Sequence, residues 1–179
     1  SLMVCELVGT KYLCSSNLDP SDACHYNPDF GVLQVTRDRW STAQDTELLF
    51  WKGENSTEDR NGEHLFHFNY YKTLREVGHI HLGNILEFAA GPYTQTKSLL
   101  LQMTNGTFNS ITLLEPQLME YKVNVSGCSY KDNKLFGIYP VNFLVGRAED
   151  FVFSEVYDTV IMINTIEHCQ DGVAVLNNL

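Results

Sequence analysis

Basic residues are scarce in this sequence. Lys and Arg together account for 12 of the 179 residues, whereas Asp and Glu account for 22, and the formal net charge is −10 at pH 7. A protein that binds DNA or RNA needs a concentrated basic face to neutralise phosphates, but the basic residues of this chain are scattered along it. The composition therefore predicts no nucleic-acid partner.

Long hydrophobic runs are missing as well. No apolar stretch approaches the roughly 20 residues that a helix needs to cross a bilayer, and the first residues lack the basic start and apolar segment of a signal peptide. We therefore expect no membrane span. The proportions of hydrophobic residues (44%) and charged residues (19%) are typical of an ordinary globular protein.

Closely spaced cysteine pairs are also absent. Small secreted proteins carry a dense, even set of cysteines, so this sequence predicts reduced thiols and a cytoplasmic location. Zinc sites need tight pairs of Cys or His with further ligands nearby, which neither the cysteines nor the central histidines supply, and we predict no metal site. These residues are Cys5, Cys14, Cys24, Cys128, Cys169, His64, His67, His79 and His81.

Residues 1–78 are predicted to form an N-terminal extension. The first 30 residues are rich in turn formers and have no periodicity, which predicts an irregular leader. Residues 37–51 place apolar and aromatic side chains three and four positions apart, which predicts a helix that ends at Gly53. A polar segment follows, and residues 64–77 are predicted to form a second helix.

Residues 79–179 alternate short apolar runs with helical windows. Runs that are apolar on both faces and separated by helices are typical of a parallel sheet covered by helices on both sides. We therefore predict an α/β fold for this domain. The predicted strands are at residues 85–89, 111–114, 141–145 and 159–163, and the predicted helices are at 95–103, from 117 to about 124, and after the fourth strand.

A small-residue loop follows the first predicted strand, between Glu87 and Thr94. Small residues let the backbone approach a ligand, and Thr94 is placed to cap the next helix. In doubly wound folds, ligands bind beyond the carboxyl ends of the strands. The second strand ends in Glu115, whose carboxylate can accept hydrogen bonds from both hydroxyls of a ribose. The pattern therefore predicts a ligand that contains a nucleoside.

The same loop distinguishes between two kinds of cofactor. A dinucleotide site of the form G-x-G-x-x-G needs three glycines, and this loop has only Gly91, which disfavours a nicotinamide-dependent dehydrogenase. The sequence E-F-A-A-G-P-Y-T at residues 87–94 instead resembles the first motif of class I S-adenosylmethionine-dependent methyltransferases, commonly D-L-G-C-G-P-G-T. It departs from that motif at Ala89 and Tyr93, where the family often has glycine.

Two later segments extend the resemblance over residues 84–179, about half of the chain. The segment F-L-V-G-R-A-E-D at residues 143–150 is similar to the family's third strand and the turn that faces the adenine. Residues 157–171 are similar to its fourth strand and the L-E-H-x-x-D turn. The resemblance implies a Rossmann-like sheet, S-adenosylmethionine as the cofactor, and methyl transfer as the activity.

The resemblance also implies which residues bind the cofactor. Glu87 would order the loop and help to hold the methionine amino group, and Glu115 would take the ribose hydroxyls. Ala89 and Gly91 would let the main chain approach the cofactor. Pro116 and Gln117 would flank the adenine, and Ala148 and Glu149 would meet its edge. Asn164 would lie beside the methionine portion. His168 is a candidate general base, although a histidine in such a turn more often caps or packs.

The aromatic stripe of the first helix has two interpretations. It consists of Trp40, Phe50 and Trp51, which belong to the helically spaced row Trp40, Ala43, Glu47, Phe50 and Trp51. With Tyr70 and Tyr71, it either packs the extension onto the sheet as ordinary core, or forms a lid that keeps water away from the cofactor and acceptor.

The resemblance leaves the acceptor and the completion of the sheet open. In the family the sheet usually continues with three further strands, so we expect residues beyond this sequence, or another chain, to complete it. The expected acceptor is a small molecule, a sugar or a similar compound. Tyr93 and the lack of an evident base leave a second interpretation, in which a methyltransferase-like module has lost activity and serves as a binding or scaffolding partner.

Overall fold

The computed structural model describes residues 4–8, 11–15, 25–26, 33–53, 80–103, 106–153 and 155–179. Before residue 35 it describes the backbone alone. The predicted second helix at residues 64–77 lies outside these ranges, as do Tyr70, Tyr71, His64, His67 and His79.

Two short antiparallel strand pairs precede the first helix. Strand β1 (Val4–Val8) pairs with β2 (Lys11–Ser15), and β3 (His25–Tyr26) pairs with β4 (Leu33–Gln34). Strands β1, β2 and β3 lie within the first 30 residues, so the prediction of an irregular leader is wrong for these three segments. Short strands form through their pairing partners, and these sequences lack the sustained alternation by which a strand is recognised.

Helix α1 (Arg37–Lys52) confirms the predicted first helix and both of its ends. The Thr36 side chain caps its start by accepting a hydrogen bond from the amide of Arg39. At its end, the amide of Gly53 donates to the carbonyl of Phe50 at 3.1 Å.

The central sheet has four parallel strands, which establishes the predicted α/β class. In chain order, the strands from β5 onward are β5 (Asn84–Phe88), β6 (Ser110–Leu114), the small hairpin of β7 (Lys134–Leu135) and β8 (Tyr139–Pro140), β9 (Asn142–Leu144) and β10 (Thr159–Ile161). The sheet order is β10-β5-β6-β9. The chain first moves outward from β5 and then crosses back to β10, and such a reversal opens a crevice at the carboxyl ends of the strands.

The two faces of the sheet bury separate apolar clusters. Ile85 and Ile111 belong to the first cluster, and Leu86 and Phe88 belong to the second. Because successive side chains of a strand point to opposite faces, the run Ile85-Leu86 contributes to both clusters. This two-sided burial explains why the strand sequences are continuously apolar rather than alternating.

Three further helices complete the described fold: α2 (Gln95–Gln102), α3 (Leu118–Asn124) and α4 (Gly172–Asn177). They match the predicted helices within a few residues. Thr94 caps α2 as predicted, because its hydroxyl accepts from the amide of Lys97 at 3.1 Å. Within the described ranges, no helix is long and apolar enough to span a membrane.

The side of α1 that faces the sheet differs in part from the predicted stripe. Leu48 and Trp51 pack against the first core cluster, but Ala43 and Phe50 are exposed. The prediction is wrong for those two residues. Helical spacing identifies rows of side chains three and four positions apart, but it does not indicate which of two adjacent rows contacts the rest of the protein.

Candidate functional site

A crevice lies at the carboxyl ends of the four parallel strands, and α1 forms its opposite wall. Each strand contributes residues that lie at or just after its last position, as expected for a doubly wound sheet. The crevice is lined by Trp40, Gln44, Glu47, Ala89, Leu114, Glu115, Pro116, Gly146, Arg147, Ala148, Glu149, Asn164, His168 and Cys169.

Glu115 is the buried carboxylate of this crevice. It follows β6 directly and is 4% exposed. Its Oε2 accepts a hydrogen bond from the amide of Gly91 at 3.0 Å, and its Oε1 accepts from the amide of Gln117 at 2.9 Å. Burial raises the pKa of Glu115 to about 7, although these two hydrogen bonds work against the shift. A carboxylate offers about four lone-pair positions, so two remain for a ligand.

Glu87 lies near the end of β5 and accepts hydrogen bonds from the first residues of α2. Its Oε1 accepts from the amide of Gln95 at 2.6 Å, and its Oε2 accepts from the amide and hydroxyl of Thr96 at 2.8 and 2.5 Å. A carboxylate at a helix N-terminus satisfies amides that have no partner within the helix. Burial raises the pKa of Glu87 to about 7. Glu87 is not among the residues that line the crevice.

Three residues around the crevice have a left-handed backbone. The φ angles are 47° for Ala89, 53° for Gly91 and 51° for Asn164. Only glycine adopts this region without strain, and an alanine there costs about 1–2 kcal/mol. Ala89 therefore holds a conformation that its side chain disfavours. A Cβ at Gly91 would meet no atom within 4 Å, so there the backbone angle, rather than crowding, favours glycine.

The turn after β9 forms the next wall of the crevice. Arg147 donates from Nε and Nη2 to the two carboxylate oxygens of Asp150, at 2.7 and 2.6 Å. Glu149 is turned toward the chain after β10, because its Oε1 accepts from the amides of Gln170 and Asp171 at 2.6 and 3.1 Å. Arg147 therefore forms a two-point ion pair with Asp150.

Helix α1 is attached to the rim of the crevice by polar contacts. The Gln117 amide group donates to the Gln44 carbonyl at 2.7 Å, and the Trp40 indole donates to the His168 carbonyl at 2.9 Å. The guanidinium of Arg147 lies 5.4 Å from the centre of the Trp40 ring, within range of a cation–π interaction. Gln117 thus contacts α1 and is not itself among the lining residues.

Tyr93 lies under α1. Its ring is 4% exposed and packs against the ring of Trp51, with the ring centres 5.5 Å apart. It does not line the crevice. Cys169 does line it, but burial raises the pKa of this thiol to about 12, so the sulfur remains a protonated group rather than a nucleophile.

The structure brings together most of the residues that the sequence placed in the site. Ala89, Glu115, Pro116, Ala148, Glu149, Asn164 and His168 line one crevice. Three further predicted residues do not line the crevice but form hydrogen bonds next to it. Gly91 and Gln117 donate to Glu115, and Glu87 accepts from the first amides of α2. Sequence reasoning missed Gln44, Arg147 and Cys169, gave Trp40 a role only in the lid interpretation, and gave Glu47 no role in the site. The helical spacing of Trp40 and Glu47 was the available signal.

No protein-family model matches the sequence, and no curated protein matches it either. Solved structures similar to the chain include two of the plantazolicin methyltransferase BpumL. One, in complex with a monoazolic desmethylPZN analog and SAH, has 14% sequence identity and a TM-score of 0.48, and the match covers 79% of this chain and 50% of that chain. The other, with a triazolic desmethylPZN analog and SAH, has 15% identity and a TM-score of 0.41, with 86% and 48% covered. The chain thus spans about half the length of the solved structures that it matches.

Proposed function

We propose that the chain binds S-adenosylmethionine in this crevice and forms the cofactor-binding part of a methyltransferase. The observation that supports this most is the setting of Glu115. Its carboxylate is fixed at the end of β6 by the amides of Gly91 and Gln117, and it lines the crevice. In this position it would accept hydrogen bonds from the two hydroxyls of a ribose.

The charges around the crevice also fit this cofactor. Glu47, Glu115 and Glu149 line it, whereas its one arginine, Arg147, is held by Asp150. S-adenosylmethionine carries a positive sulfonium and a positive amino group, and carboxylates stabilise such charges. A dinucleotide pyrophosphate would instead need free amides at a helix start, but the α2 amides of Gln95 and Thr96 already donate to Glu87.

The remaining residues would position the cofactor. Backbone at Ala89 and Gly91 would approach the methionine portion beside Asn164. Pro116 and Ala148, which both line the crevice, would contact the adenine. The cofactor supplies a methyl group on a sulfonium centre, and the task of the protein is to orient the acceptor and to exclude water. Helix α1 would contribute to the exclusion of water through Trp40 and Gln44.

Methyl transfer is tested by incubating the chain with S-adenosylmethionine that carries a tritiated methyl group. The acceptors are offered as small-molecule extracts, sugars and protein extracts. Time-dependent transfer that is lost in Glu115→Ala supports the proposed activity. Cofactor binding without transfer to any acceptor would favour an inactive binding module instead, and a folded chain that binds no cofactor would overturn both.

A further inference from the structure

We propose that His168 is the general base of the reaction and that Glu47 of α1 is its positioning residue. The inference deepens the proposed function and rests on it. It assigns to the crevice an acceptor whose reacting nitrogen or oxygen carries a proton, such as an amine, an alcohol or a phenol. Three features of the described residues support it. The two side chains are paired, the main-chain carbonyl and the ring of His168 both contact α1, and acidic residues line the crevice around it.

The two side chains face each other across the crevice. Nδ1 of His168 lies 3.6 Å from Oε2 of Glu47, and both residues line the crevice. This separation is longer than a direct hydrogen bond, as catalytic contacts in free enzymes often are before the substrate binds. The side chain of His168 is 49% exposed and that of Glu47 is 27% exposed, so an acceptor can reach the ring.

The carboxylate of Glu47 is oriented by a neighbour on its own helix. The indole of Trp51 donates to Oε1 of Glu47 at 3.2 Å. This hydrogen bond occupies one oxygen and leaves Oε2 toward the imidazole. Glu47 and Trp51 are four residues apart and therefore lie on the same side of α1.

The main chain of His168 is attached to the same helix. The indole of Trp40 donates to the carbonyl of His168 at 2.9 Å, and the amide of His168 donates to the carbonyl of Thr165 at 3.0 Å. Trp40 and Glu47 are seven residues apart, close to two full turns, so they share one side of α1. Helix α1 thus contacts the backbone of His168 through Trp40 and lies close to its ring through Glu47.

This arrangement selects one tautomer of the imidazole. A carboxylate near Nδ1 favours a proton on that nitrogen, so the lone pair is on Nε2. When the acceptor atom forms its bond to the methyl carbon, the bond from that carbon to sulfur breaks and its electron pair stays on the sulfur. The acceptor atom then releases its proton to Nε2, and the product of this step at His168 is an imidazolium that faces Glu47.

The charges around His168 suit a transient positive charge. The acidic residues that line the same crevice as His168 are Glu47, Glu115 and Glu149. Among the described residues that line the crevice, Arg147 is the one lysine or arginine, and its guanidinium is paired with Asp150.

Nuclear magnetic resonance tests the pairing without any acceptor or cofactor. Long-range correlations between ring protons and ring nitrogens distinguish a protonated from an unprotonated nitrogen, at a pH where the ring is neutral. We expect Nδ1 of His168 to carry the proton in the wild-type chain and in Glu47→Gln, whose amide oxygen can still accept it. In Glu47→Leu we expect the proton to move mainly to Nε2, with the signals of His81 unchanged. A wild-type ring protonated mainly on Nε2, or a tautomer that Glu47→Leu leaves unaltered, would overturn the pairing.

Transfer of a tritiated methyl group to a panel of phenols, alcohols and primary amines tests the base itself. His168→Gln should lower the rate of transfer by about 10²- to 10⁴-fold, the usual contribution of a general base. Calorimetry should show that this variant still binds S-adenosylhomocysteine. The control is His81→Gln, since His81 is exposed, contacts the hydroxyl of Thr107 and lies outside the crevice, and its rate should equal that of the wild type.

The failures of the two proposals are distinguishable. Wild-type rates in His168→Gln would overturn the assignment of the base and leave cofactor binding intact. Absence of S-adenosylhomocysteine binding by the folded wild-type chain would instead overturn the proposed function. The tautomer measurement, which uses no cofactor, still decides on the pairing of Glu47 with His168 in that case.

Discussion

The carboxylate of Glu115 accepts a hydrogen bond from the amide of Gly91 at 3.0 Å. This contact joins the end of β6 to the loop that follows β5, so the residue that we propose binds a ribose also fixes the loop that we propose approaches the rest of the cofactor. A change at either residue is therefore expected to alter both parts of the crevice, and ligand binding and loop order should be measured together.

Cofactor binding should weaken as the pH falls through 7. Burial raises the pKa of Glu115 to about 7 in the free chain, and ribose hydroxyls donate to the ionised carboxylate. Protonation therefore competes with binding, and a group with this pKa is about tenfold less ionised at pH 6 than at pH 8. Calorimetric titration with S-adenosylhomocysteine should give about tenfold weaker binding at pH 6. Glu115→Gln, which cannot ionise, should lose this dependence, and a wild-type affinity that is constant from pH 6 to 8 would contradict the role of Glu115.

Glu87→Ala should destabilise the fold. The substitution leaves the amides of Gln95 and Thr96 and the Thr96 hydroxyl without their buried acceptor. Such groups cost about 1–3 kcal/mol each when they are left unpaired, so we expect the free energy of unfolding in urea to fall by about 3 kcal/mol. Glu120→Ala is the control, because Glu120 is an exposed acceptor for the Asn124 side chain, and should change it by less than about 0.5 kcal/mol. Equal effects of the two substitutions would refute the capping role.

Ala89→Gly should stabilise the free chain. Ala89 has a φ angle of 47°, and glycine relieves a strain of about 1–2 kcal/mol at such a position, less the additional entropy of the unfolded chain. We expect a net gain of about 0.5–1 kcal/mol in urea denaturation. The adjacent Ala90 has no positive φ angle, so Ala90→Gly should destabilise instead. A loss of stability in both variants would show that Ala89 is not strained.

Helix α1 should become more protected from hydrogen exchange when the cofactor analogue binds. Trp40, Gln44 and Glu47 line the crevice, so a ligand there would contact the helix and reduce its local opening. Mass spectrometry with saturating S-adenosylhomocysteine should record slower exchange in Arg37–Lys52 and unchanged exchange in the β7–β8 hairpin. Unchanged exchange in α1 would favour static packing over the lid interpretation.

The sequence predicted the elements that depend on local pattern. Continuous apolar runs identified β5 and β6, and helical spacing together with Gly53 identified α1. The position of Glu115 after β6 followed from the end of the apolar run at residues 111–114. Contacts between distant segments left no such pattern. Gln44 meets Gln117 across 73 positions and Trp40 meets His168 across 128, so their places in the crevice became evident only in the folded chain.

Tyr93 illustrates a second limit. Tyr93 stands where a glycine is frequent in the family that the sequence resembles. The structure places it beneath Trp51, a residue that lies 42 positions earlier in the chain. The available space for a large side chain depends on which helix covers the loop, and no local spacing carries that information.

Calorimetric titration of the 179-residue chain with S-adenosylmethionine and S-adenosylhomocysteine tests the central claim most directly. We predict that both compounds bind and that Glu115→Ala weakens the binding by about 1–3 kcal/mol, or roughly 5- to 150-fold, since a charge-assisted pair of hydrogen bonds is lost. Glu120→Ala should bind like the wild type. A chain that is folded by circular dichroism and binds neither compound would contradict the account.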